Sequence, residues 1–167
     1  MVELLKTEFA QFGGYRFIGK SVSAPPGSGD IFGGLWGSSA PIFEALDAMS
    51  EWASDEIYNT AMMSWDGANK LLIYTVGRFM KAGAPIPEGF DGIEVSFSHM
   101  AKTWVKGEFV AMISEAPKLC EEAISQREGI SFAWSEKFIG AEIYPPENIP
   151  QGGVVSIFCY YIPYKLG

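Results

Sequence analysis

The sequence predicts an α+β fold in which a strand-helix-strand-strand module occurs twice, giving an antiparallel sheet with helices on one face and a ligand cleft between the modules. Three observations predict it. Segments of period 2 and period 3.6 run in the order strand, helix, strand, strand, and the same order then returns. Ala40-Pro41 and Ala116-Pro117 fall at matching places in the two halves, as an internal duplication would leave them. Apolar residues make up 48% of the 167 and aromatic residues 14%, enough for a buried core but too interrupted to span a membrane.

Each element has its own signal. After a short extension, Tyr15 to Val22 reads as a first strand, followed by a long loop from Ala24 to Gly29 rich in Pro, Gly and Ser. Ser38 or Ser39 offers an N-cap with Pro41 just inside the helix start. Ile42, Leu46, Met49 and Ala53 then recur at helical spacing, so a first helix is expected to run to about Ser54. Two apolar runs, Tyr58 to Trp65 and Lys70 to Arg78, flank Asp66-Gly67-Ala68-Asn69, a hairpin signal. Gly83 to Phe90 is a linker. A strand within Ile93 to Val105 follows, then a helix capped by Ser114, with Pro117 in its first turn and Gly129 as its stop. Two strands close the chain, one ending Ile139 to Tyr144 and one from Val154 to Ile162, joined by a loop containing Pro145, Pro146 and Pro150. This sets module one at about 13–80, a linker at about 81–92 and module two at about 93–167 within a single domain.

Composition narrows the function. With 20 acidic against 12 basic residues the formal charge is −8, and no Lys/Arg cluster tracks a phosphate backbone, so direct nucleic-acid binding is not expected. An acidic shell also repels anionic lipid and gathers cations. The start, Met1-Val2-Glu3-Leu4-Leu5-Lys6, has neither the basic region nor the apolar run of a signal peptide, which implies a cytoplasmic protein. Cys120 and Cys159 read as buried thiols in a reducing compartment. His99 is the only histidine and has no serine or cysteine motif around it, and no spacing of Cys, His or carboxylates suggests a metal. No glycine motif suggests a nucleotide. No cofactor is expected.

The last strand is the anomaly. Val154 to Tyr161 is apolar at nearly every position, with Tyr160 and Tyr161 on opposite faces, so both faces must be covered. The second face then packs on the partner module or lines a cleft.

The landmarks taken in order resemble the GyrI-like small-molecule-binding domain, a pair of SHS2-like modules also found as the effector-binding half of AraC-type and BmrR-type transcription regulators. The resemblance spans nearly the whole chain. Tyr15-Arg16-Phe17-Ile18-Gly19-Lys20 is similar to the family's first strand, and Leu35-Trp36 to its aromatic position before the first helix. Tyr74-Thr75-Val76-Gly77 resembles its third strand, Ile86 to Val95 its linker, and His99 to Trp104 the strand that follows. Ala141-Glu142-Ile143-Tyr144 resembles its Glu-x-Tyr step, and Tyr161-Ile162-Pro163-Tyr164-Lys165 its terminal strand. Where many members carry tyrosine before alanine, this chain has Met100-Ala101, and the DNA-binding domain of the regulators is absent.

The resemblance implies a stand-alone receptor or sequestering protein for hydrophobic aromatic molecules, lipophilic cations among them. Glu142 matches the family's buried glutamate. A carboxylate in an apolar cleft selects ligands that bring positive charge or hydrogen-bond donors, whereas on a solvated strand the same residue is a rim carboxylate. On a regular strand Phe138, Gly140, Glu142 and Tyr144 share a face, and Gly140 leaves room for a ligand beside the backbone. The resemblance places Tyr74 and Trp104 on strands bordering the cleft, where their rings can hold a cation. Trp36, Trp65, Trp134 and Met62 are weaker candidates, and for each of them plain core packing is the favoured reading.

Two other functions stay open. Some family members hydrolyse cyclopropane-bearing DNA-alkylating compounds, which would make Glu142 a general base or an orienter of water. The family name also suggests a partner acting on gyrase, or a separate regulator.

Overall fold

The computed structural model describes residues 2–145 and 155–167 and is α+β, with nine antiparallel strands and three α-helices among those residues. The expected loop positions Pro146 and Pro150 and the expected strand start at Val154 lie outside the described residues. The chain forms two compact units. One comprises Met1–Gly13, Phe97–Trp134 and Gly140–Gly167; the other comprises Gly14–Ser96 and Ser135–Ile139.

In the unit of 14–96 the strands are β2 (Tyr15–Ala24), β3 (Asn59–Asp66), β4 (Leu71–Lys81) and β5 (Asp91–Val95), in the order β3-β4-β2-β5. The β3-β4 hairpin forms where the Asp-Gly signal stands. Its turn is held by Asp66, whose carboxylate accepts from the Asn69 main-chain N at 3.2 Å and from Nδ2 at 2.8 Å. Gly19 and Gly77 face each other across β2 and β4. A Cβ on Gly77 would stand 2.7 Å from the Gly19 Cα, so both positions must lack a side chain.

Two helices cover one face: α1 (Gly29–Gly37) and α2 (Ala40–Ala48), the latter followed by a 3-10 turn at Ser50–Trp52. Pro41 stands in the first turn of α2, as expected, and Ile42 and Leu46 are its buried residues. That helix nevertheless stops before Ser54. The segment between the expected loop, which ends at Gly29, and the expected cap at Ser38 or Ser39 has no expected element and holds α1, which buries no residue completely and packs through Phe32 and Trp36, one turn apart. The opposite face carries Phe17, Phe79 and Phe138, with centroid separations of 4.9 Å and 6.3 Å along the series. Residues 135–139 run beside β3, where Trp65 N donates to the Glu136 carbonyl and Ile139 N to that of Met63.

The other unit contains β1 (Glu3–Gln11), β6 (His99–Glu108), α3 (Phe109–Gln126), β7 (Ile130–Phe132), β8 (Gly140–Tyr144) and β9 (Val155–Leu166). Its strands run β1-β6-β9-β8, with β7 also on β9. The expected N-terminal extension is therefore a paired strand. The single strand expected within Ile93 to Val105 is two, β5 and β6, which belong to different units.

α3 begins at Phe109, not at Ser114, and Pro117 lies inside it. Met112, Ala116, Cys120 and Ile124 form a fully buried stripe at four-residue spacing, directed at β6 and β9. Burial of that stripe outweighs the cost of an interior proline, about 3 kcal/mol. As expected for β9, Phe158 through Ile162 are buried on both faces. α3 covers one side, while Phe12 and the Lys102 ammonium cover Tyr161 on the other, the latter 4.9 Å from the ring centroid.

Candidate functional site

Glu142 is the only buried carboxylate among the described residues, with 6% of its surface exposed. It sits in the middle of β8, directly across from Tyr160 of β9, which in turn stands across from Thr103 of β6. Directly paired residues share a face, and Thr103 is on the side of α3, where it meets the Cys120 thiol. Glu142 and Tyr160 therefore lie on the helix-covered face. Tyr144, two residues on, donates its hydroxyl to Glu142 Oε1 at 3.0 Å. The Tyr144 ring packs edge-on to Phe158, centroids 5.3 Å apart, and tilted against Phe109 at the start of α3, at 6.2 Å.

Tyr160 is the residue that sequence reasoning left out of the site. Its ring lies over Gly140, where a Cβ would come within 2.7 Å of the phenol Cζ. The space expected there for a ligand is therefore filled by Tyr160. Burial pushes the Tyr160 phenol strongly upward, and the neighbouring Glu142 charge adds to the effect. The phenol stays protonated beside the carboxylate as a neutral donor group.

The remaining expected residues divide between the two units. Trp104 is on the face opposite Glu142, because it pairs with Cys159, one residue along from the Thr103–Tyr160 pair. Its indole Nε1 donates to Glu8 Oε1 at 2.9 Å and its ring carries the Lys6 ammonium at 5.7 Å. Trp134 is 45% exposed and stacks on Phe132 at 4.2 Å.

In the other unit Tyr74 and Trp36 meet. The indole Nε1 donates to the Tyr74 hydroxyl at 2.8 Å, Phe32 stacks on Tyr74 at 4.8 Å, and Phe43 of α2 stacks on Trp36 at 6.0 Å. Met62 is fully buried on the face away from Tyr74, because it pairs with Thr75. Trp65 is half-buried at the end of β3. Phe138 lies before β8, bridged to Ser135, and packs on Phe79, so it does not extend the Glu142 face as a regular strand would require.

Phe32 could have been found from its i, i+4 relation to Trp36. Tyr160 could not, because its pairing with Glu142 depends on the register between β8 and β9, which no local pattern in the sequence sets.

No protein-family model matches this chain, and no curated protein matches it. Among solved structures it resembles an integron cassette protein from the mobile metagenome of Vibrio cholerae, with 11% identity, a TM-score of 0.56 and coverage of 98% of this chain and 99% of that one. It also resembles SAV2435, solved bound to tetraphenylphosphonium, with 11% identity, a TM-score of 0.61 and coverage of 96% and 94%. At that identity the likeness is one of fold.

Proposed function

We propose that this chain is a GyrI-like receptor that binds hydrophobic aromatic molecules, lipophilic cations among them, at Glu142. The observation that carries the proposal is the burial of this one carboxylate among Tyr144, Tyr160 and Phe158. A carboxylate out of water costs several kcal/mol, so a buried one favours ligands that bring positive charge or hydrogen-bond donors. A cation with an apolar body would offset the charge and present its surface to the rings. The shared fold of SAV2435, solved with a lipophilic cation, supports the same reading.

The strand orders support reading the two units as copies of one module: β3-β4-β2 with helices on one face, and β8-β9-β6 with α3. A tyrosine on the helix-covered face stands across from Met63 in one unit, as Tyr74, and across from Glu142 in the other, as Tyr160. Only the second row carries charge, which is where we place the cation's centre.

The test is titration of the chain with tetraphenylphosphonium, followed by Trp fluorescence and by calorimetry. Binding by the native chain, and an affinity at least tenfold lower in Glu142→Gln with an unchanged fold, is the expected result. Equal affinity in the two proteins refutes the assignment of Glu142.

A further inference from the structure

A groove of about 620 Å³ crosses the unit of 14–96 on the sheet face away from α1 and α2. Its floor is Ile73 with the hydroxyls of Ser21 and Ser64, and Thr75 is buried beneath it. Ser21 and Thr75 are hydrogen-bonded to each other at 2.7 Å, and the buried Ser64 donates to the Lys137 carbonyl at 2.8 Å. Asp91 and Ile93 of β5 form one wall, and Glu136 and Lys137 the other, where the Trp65 main-chain N donates to the Glu136 carbonyl. Glu94, at the rim, is held by the Arg16 guanidinium. Asp91 and Glu136 make no ion pair among the described residues.

We propose that this groove is a second binding site, separate from Glu142, for a linear alkyl polyamine. Three features select that chemistry. A hydroxyl that has donated its proton keeps lone pairs for further donors, so the floor offers acceptors to N–H groups. Asp91 stands on β5 and Glu136 on the segment beside β3, so their backbones are separated by three strand spacings or more, roughly 14 Å, which suits a chain of ammonium groups better than one compact charge. Ile73 and Ile93 supply apolar contact for the methylenes between those ammoniums. A phosphonium or quaternary ammonium has no N–H to give to the hydroxyl floor, which separates the ligands of this groove from those proposed for Glu142.

Calorimetry of the full chain with spermidine, butane-1,4-diamine and tetraphenylphosphonium tests the proposal. Spermidine should bind more tightly than the shorter diamine. Asp91→Asn/Glu136→Gln should weaken spermidine about tenfold while leaving tetraphenylphosphonium unchanged. Glu142→Gln should leave spermidine binding intact, so this inference and the proposed function fail separately. A control, Glu121→Gln/Glu122→Gln, removes the same charge from α3 and should bind spermidine like the native chain. No spermidine binding at millimolar concentration, equal loss in the control, or no loss in the groove variant would each overturn the proposal. Unchanged melting temperatures in the variants confirm that folding is intact.

Discussion

Gly140→Ala is the sharpest test of how the Glu142 face is built. The added methyl would lie 2.7 Å from Tyr160 Cζ and 2.9 Å from Cε2, well inside van der Waals contact, and both residues are buried. The Tyr160 ring has to move, and overpacking of this kind costs about 1–3 kcal/mol. For a domain of this size each kcal/mol lowers Tm by roughly 2–4 °C, so a fall of about 2–12 °C is expected. The assay is a double-mutant cycle by urea unfolding with Tyr160→Leu, which takes the phenol out of the clash. If the ring is what fills the space over Gly140, the two substitutions together should cost less than their sum by about 1 kcal/mol or more. Strict additivity would show that the methyl meets something else and that Tyr160 does not lie over Gly140. Tetraphenylphosphonium affinity in Gly140→Ala should fall as well, because the displaced phenol borders Glu142.

Two further outcomes follow from the packing. Gly77→Ala puts a methyl against the Gly19 backbone, which has no side chain to rotate away, so a loss of about 3 kcal/mol is expected in chemical denaturation, and a loss below 1 kcal/mol would contradict the close approach of β2 and β4. Burial pushes the Cys120 thiol from 9.0 up to about 11, so the folded chain keeps a proton that the unfolded chain releases; stability should be level below about pH 9 and then fall by about 1.4 kcal/mol per pH unit towards pH 11, with Tyr160 adding to the decline above pH 10. Cys120→Ala should flatten the first part of that fall, and a native stability that rises between pH 9 and 10 would reverse the argument.

The sequence exposed what was periodic and hid what was held by distant partners. The β3-β4 hairpin was legible because Asp66-Gly67 sits between two apolar runs, and β9 because its unbroken apolar run allows no solvated face. β1 was not, since Glu3, Leu4, Leu5 and Lys6 are all exposed at an edge and show no alternation; the strand exists because β6 supplies hydrogen bonds. α1 contains four glycines and buries nothing fully, so local propensity speaks against it, and it is held by tertiary contacts that include the Phe32 ring stacked on Tyr74 and the Trp36 indole bonded to the Tyr74 hydroxyl. The start of α3 was misplaced because Pro117 was read as a first-turn residue, although Met112 to Ile124 already gave the stripe that carries the helix past it. Within the site, Glu142 and Tyr144 were readable as strand neighbours. The split between Glu142 and Trp104 was not, because a one-residue difference in register decides which face a side chain takes.

β1 and β5 each lead, through a few residues, into a strand of the unit to which they do not belong: β1 precedes β2 but pairs with β6, and β5 precedes β6 but pairs with β2. The consequence concerns synthesis. As the chain leaves the ribosome, β1 emerges well before β6, its partner; Thr7 and Thr103, which bond across that pair, are 96 residues apart. For that interval it is an unpaired edge carrying Leu4 and Leu5, open to intermolecular pairing, and closing so long a loop makes its docking a late event in folding. Neither unit can be released by a single cut of the chain, because each is assembled from segments that the other interrupts.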